Sequence, residues 1–69
     1  MRLREHRDNC GMSQAELAAE AGVPLRQIQL FEQGHRDINK TAALTLYKLA
    51  KAMCCRMEDL LEPNYENFY

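Results

Sequence analysis

Gly11-Met12-Ser13-Gln14-Ala15-Glu16-Leu17-Ala18-Ala19-Glu20-Ala21-Gly22-Val23-Pro24 is the stretch whose reading decides the fold. Ser13 and Glu16 have the spacing of a capping box, in which the hydroxyl and the carboxylate each satisfy a free backbone N–H of a first helical turn. Met12 and Leu17 sit where a hydrophobic staple closes over such a box. The pattern predicts a helix that starts at Ser13, runs through Leu17, Ala18 and Ala19, and stops at Gly22, a residue that enters the left-handed conformation at little cost. Proline is tolerated in a first helical turn, because its missing N–H would be unpaired there. Pro24 therefore opens a further helix, from about Pro24 to Gln33, which stops at Gly34.

Outward from this centre, Gly11 ends a preceding helix that begins at about residue 2. Residues 34–38 read as a loop, and Asn39 is suited to N-cap a fourth helix. Ala42, Leu46, Leu49, Ala50 and Met53 then recur at three- and four-residue steps, the period of a helix with one apolar face. A short fifth helix is expected over about 56–62, ending before Pro63. The division is thus a domain over residues 1–62 and an aromatic, acidic tail over 63–69, Pro63-Asn64-Tyr65-Glu66-Asn67-Phe68-Tyr69.

A chain of 69 residues has room for one domain. Domains this short bury only about 60% of their unfolded surface, so local structure with short connections is favoured. No apolar run approaches the roughly 20 residues that span a bilayer. The charged start Met1-Arg2-Leu3-Arg4-Glu5-His6-Arg7 lacks the apolar stretch of a secretion signal. A cytoplasmic protein without membrane partners is expected. The cysteines agree: Cys54 and Cys55 are adjacent, Cys10 stands alone, and an odd count of three without a spacing pattern is no disulfide framework.

The net charge of −1 hides an asymmetry: residues 1–57 hold nine Lys/Arg and six Asp/Glu (+3), and residues 58–69 hold four acids (−4). A mildly basic body with an acidic end suits a nucleic-acid binder better than the total suggests.

Two helices joined by three residues around a glycine make a helix-turn-helix unit. Ala18 suits the close approach of the two helices, and Val23, Ile28 and Phe31 suit their shared core. At about 100° per residue, the third helix turns Ile28 and Phe31 inward with Glu32 at their edge. Arg26, Gln29, Leu30 and Gln33 form the opposite stripe. Arginine and glutamine can grip guanine and adenine edges bidentately in the major groove. A solvated polar face carries the same pattern, so the stripe alone leaves both readings open.

From Leu3 to Leu61 the sequence resembles the phage repressor and Cro (Xre-like) helix-turn-helix family. The resemblance is carried by Gly11-Met12-Ser13-Gln14-Ala15-Glu16-Leu17-Ala18, Ala21-Gly22-Val23, Ile28-Gln29-Leu30-Phe31-Glu32-Gln33-Gly34, Leu49-Ala50-Lys51-Ala52 and Met57-Glu58-Asp59-Leu60-Leu61. It implies an all-α, compact five-helix lambda-repressor-like DNA-binding domain. It also implies a transcriptional regulator that binds double-stranded operator DNA. A homodimer is expected, because one reading helix covers too few base pairs for useful specificity, and no cofactor or small-molecule ligand is evident in the sequence. Gln14 matches a glutamine that touches the DNA backbone. Leu25, Arg26 and Leu30 fall at base-contacting positions, flanked by Gln27 and Gln29, with Gln33 on the same face. His35, Arg36, Asn39 and Lys40 lie where the family approaches phosphates. Arg7 and Glu32 match a structural ion pair between helices 1 and 3.

The sequence departs from the family at several points. Leu30 replaces a commonly polar reading residue, and Pro24 stands where a Ser or Thr cap is usual. Asp37 adds a negative charge to the phosphate-facing loop, and His6 occupies an apolar core position. Cys54 replaces the glycine that ends helix 4, and Arg56 replaces a Ser or Thr cap. A protein-interaction module of the same fold, using the helix 3 face and the aromatic tail, is the alternative reading.

Catalytic and metal chemistry find little support. His6, Cys10, His35, Cys54 and Cys55 show no zinc-site spacing, and no nucleophile–base arrangement or phosphate-binding glycine loop is evident. Neither an enzyme nor a metal site is expected. The adjacent pair Cys54 and Cys55 would respond to oxidants if exposed.

Overall fold

A computed structural model describes residues 1–63. Four α-helices follow one another: α1 (Arg2–Asn9), α2 (Gln14–Ala21), α3 (Leu25–Glu32) and α4 (Ala43–Ala52). Two single 3-10 turns complete the fold, Ile38–Lys40 between α3 and α4, and Met57–Leu60 after α4. No strand occurs among the described residues.

Each of the first three helices has a local reason for its C-terminal end, and α2 has one for its start as well. Gly11, Gly22 and Gly34 all take positive φ, at +71°, +68° and +79°. Gly22 ends α2 in the left-handed conformation, and the N–H groups of Gly22 and Val23 both donate to the Ala18 carbonyl, at 3.0 and 3.1 Å. The capping box at the other end of α2 is complete. Ser13 Oγ accepts from the Glu16 N–H at 3.0 Å, and the Glu16 carboxylate accepts from the Ser13 N–H at 2.9 Å. The Ser13 backbone N–H, with the Ser13 hydroxyl beside it, favours the charged carboxylate, so the Glu16 pKa lies below its ordinary value. Pro24, the expected first residue of α3, lies one position outside the helix, as its N-cap, with φ −56° and ψ 134°.

One core joins all the elements. Leu3 from α1, Leu17 from α2, and Ile28 and Phe31 from α3 are buried, with Val23 from the turn. Ile38 adds to them from the first 3-10 turn, Leu46, Leu49, Ala50 and Met53 from α4 and its C-cap, and Leu60 from the second turn. Fully burying one such Leu, Ile or Phe side chain contributes about 1.5–3 kcal/mol. His6, expected at an apolar core position of α1, is half-buried.

Two expectations fail in the second half. Asn39 does not cap α4. It lies inside the 3-10 turn that Asp37 caps, and α4 starts at Ala43 behind Ala42, which makes no side-chain cap bond. The physical reason is a long-range pair. Asn39 Nδ2 donates to the Glu62 carbonyl at 3.1 Å, and Asn39 Oδ1 accepts from the Glu62 N–H at 2.8 Å. Fixed there, Asn39 closes the C-terminal segment onto the domain. The fifth helix, expected over 56–62, is also not an α-helix. Only Met57–Leu60 wind, as one 3-10 turn, and Leu61 is already extended at ψ 137°. Arg56 is extended too, and Pro63 disfavours α conformation at the residue before it. Too few residues remain for a stable α-helix, and short pieces are the ordinary setting of 3-10 geometry.

The tail expected over 63–69 lies, from Asn64 onward, outside the described residues.

Candidate nucleic-acid interface

The helix-turn-helix is α2, the three-residue turn Gly22-Val23-Pro24, and α3. A buried ion pair fixes α3 against α1. Arg7 grips Glu32 bidentately, Nε to Oε2 at 2.8 Å and Nη2 to Oε1 at 2.9 Å. The two side chains are only 11% and 5% exposed. Arg7 Nη1 also donates to the Met12 carbonyl at 2.7 Å, which ties the entry of α2 into the same joint. Burial opposes the charge on Glu32. The hydrogen bonds from Arg7 and Gln14 outweigh it and hold the carboxyl below its ordinary pKa. The hydrogen bond from Arg7 to Glu32 raises the Arg7 pKa against desolvation.

Gln14 is the first residue of α2, and its Nε2 donates to Glu32 Oε1 at 3.1 Å. The amide expected at the DNA backbone is thus held by the carboxylate that joins α1 to α3. Local spacing carries no sign of this bond between residues 18 positions apart.

The outward side of α3 is narrower than its helical projection. Leu25 (38% exposed), Arg26 and Gln33 are exposed, whereas Gln27, Gln29 and Leu30 are half-buried. Leu30 is half-covered, while its carbonyl accepts from the N–H groups of His35 and Arg36, at 2.9 and 3.2 Å. Those two bonds fold the following loop back against the end of α3. His35 and Arg36 are both exposed there.

Lys40, expected at the start of the fourth helix, ends the first 3-10 turn instead, three positions before Ala43, and is exposed. A shallow depression beside it is lined by Gln27, Arg36, Asp37, Lys40, Thr41 and Thr45, together with Ala42. Thr41 and Thr45 are polar residues that the sequence pattern does not single out; they share this depression with Gln27, which lies on α3. Asp37, an acid unexpected in a loop read from the sequence as phosphate-facing, has a local structural role. Its carboxylate accepts from the Asn39 N–H at 2.9 Å. Among the described residues, Arg26, Arg36 and Lys40 take part in no ion pair. Their charge is left to the solvent side.

The fold agrees with that of a known family. The helix-turn-helix family model matches residues 3–60. The chain belongs to the helix-turn-helix family. It is similar to a protein of Archaeoglobus fulgidus described as an uncharacterized HTH-type transcriptional regulator, with 39% identity over 59 residues, 86% of this chain and 80% of that protein. No solved structure matches the chain. No helix among the described residues is long and apolar enough to cross a membrane, and no group of three or more His, Cys, Asp or Glu side chains there is placed to hold a metal ion.

Proposed function

We propose that this helix-turn-helix protein is a transcriptional regulator that binds double-stranded DNA as a homodimer and reads the major groove with α3. The carrying observation is the exposed set Arg26, Arg36 and Lys40, outside every ion pair of the described residues, around a helix-turn-helix whose second helix is locked by a buried ion pair. Rigid placement matters because base readout depends on the angle at which a reading helix enters the groove. Arg26 grips a base, with Leu25 and Leu30 offering apolar contact to a thymine methyl. Gln27, Gln29 and Gln33 flank it. Gln14, His35, Arg36 and Lys40 approach phosphates and fix the register, beside Asn39, whose side chain is engaged with the Glu62 backbone. One reading helix covers too few base pairs for useful specificity, and two half-sites one helical turn apart supply the rest. The similar archaeal protein's description as a transcriptional regulator supports the same reading.

Selection of the purified protein against a random duplex pool, followed by titration of the recovered site at several salt concentrations, tests the proposal. Enrichment of a two-fold symmetric sequence, with affinity that falls steeply as salt rises, is the expected result. Recovery of no sequence and no salt-dependent binding would remove the DNA reading.

A further inference from the structure

The three cysteines, which look unrelated in the sequence, meet at the C-terminal end of α4. The Cys10 thiol lies at the end of α1 and donates to the Met53 carbonyl, 3.6 Å away across 43 positions of sequence. Met53 caps α4, and Cys54 and Cys55 follow directly. At Cys54 the chain takes φ +55°, a left-handed turn at a non-glycine residue. Cys54 is exposed, while Cys55 is half-buried, packs against the core, and returns its N–H to the Ala50 carbonyl at 3.0 Å. Burial is the main cause that pushes the Cys55 thiol pKa up, with nearby Asp59 and the other two thiols adding to it. Cys10 itself is exposed and open to a small oxidant.

We propose that Cys10 and Cys55 form a dithiol site that peroxide converts into an intrachain disulfide, linking the end of α1 to the end of α4. The Cys10 thiolate attacks one oxygen of hydrogen peroxide, forms a sulfenic acid and expels hydroxide. The Cys55 thiolate then attacks that sulfur, the S–S bond forms, and a second hydroxide leaves. The two thiol protons and the two hydroxides leave as two waters. Two sulfurs are oxidised by one electron each, and the peroxide is reduced by two. The raised pKa of Cys55 makes the second step the slow one, because the thiolate is the nucleophile. Cys54 is not the partner of Cys55, since adjacent cysteines are a poor geometry for a mutual disulfide. A link between residues 10 and 55 closes most of the chain into one loop, so it restricts the unfolded state strongly.

The test uses the reduced full chain, one equivalent of hydrogen peroxide, thiol alkylation and peptide mapping by mass spectrometry. Free thiols should fall from three to one per chain, on a species that stays a monomer on a non-reducing gel. The linked peptides should be those of Cys10 and Cys55. The melting midpoint should rise by more than about 10 °C and return on reduction. Cys54→Ser should give the same link, and Cys10→Ser, at an exposed position, should give none. A link through Cys54, a disulfide between chains, or loss of two thiols in Cys10→Ser would overturn the proposal.

Discussion

The two halves of this molecule are held together in different ways. Up to Gly34, each helix carries its own punctuation: a capping box at Ser13 and Glu16, and left-handed glycines at positions 11, 22 and 34. After Gly34 there is no glycine in the chain. There a cysteine takes the left-handed place, and the ends are tied down by partners far away in sequence. Glu62 shows the contrast most clearly. Its backbone pairs with the Asn39 amide, and its carboxylate accepts from the Arg2 N–H at 2.9 Å, 60 positions away. The first half encodes its structure in neighbours; the second half borrows it from the finished fold.

The largest effect is expected where the first half itself depends on a distant contact. Arg7→Ala strands the Glu32 carboxylate, which is 5% exposed, without its bidentate partner. Stranding a buried charge costs about 3–5 kcal/mol, a large share of the stability of a domain this small. Thermal or urea melts should show it. A midpoint equal to that of wild type would mean that the joint between α1 and α3 contributes nothing.

This joint also marks the limit of what is legible in the sequence. The three leading helices can be read to within a residue or two, because caps and glycines act through bonds to near neighbours. The pairing of Arg7 with Glu32 rests on family resemblance, since no local spacing relates residues 25 positions apart. The Gln14 amide on Glu32 escapes a sequence reading for the same reason. In the second half, apolar periodicity places α4 but not its start. Asn39 has the chemistry of a helix cap, and only the folded chain shows that its amide is taken by Glu62. The Cys54 turn is readable as a missing glycine, and the positive φ there is its structural counterpart. Thr41 and Thr45 enter the candidate interface only once the loop and α4 stand beside α3.

A second perturbation sharpens the contrast. Asn39→Ala removes both bonds to the Glu62 backbone and leaves two half-buried polar groups to find other partners. The expected loss is about 1–3 kcal/mol, with amide hydrogen exchange faster around Met57–Leu60 than around α2. Equal exchange in both regions would break the distinction between a locally and a remotely supported half.

The smallest stability effect runs the other way. Cys54→Gly removes the steric cost of a side chain at φ +55°. The added freedom of the unfolded chain offsets part of the gain. A net stabilisation of about 0.5–1 kcal/mol is expected, a rise of several degrees in melting midpoint. A lower midpoint would show that the Cys54 side chain contributes more than its turn costs.

The central claim is that α3 reads bases while the loop after it grips the backbone. Arg26→Ala and Lys40→Ala test it side by side, because both residues are exposed and both variants should stay folded. Affinity should be measured for the selected duplex and for its single-base variants, at several salt concentrations. Arg26→Ala should relax discrimination at one base position by about 1–3 kcal/mol, with less effect on unrelated sequences. Lys40→Ala should weaken all sequences alike and lower the salt slope by about one unit. Uniform loss in both variants, with no base position relaxed, would contradict the assignment of α3 as the reading helix.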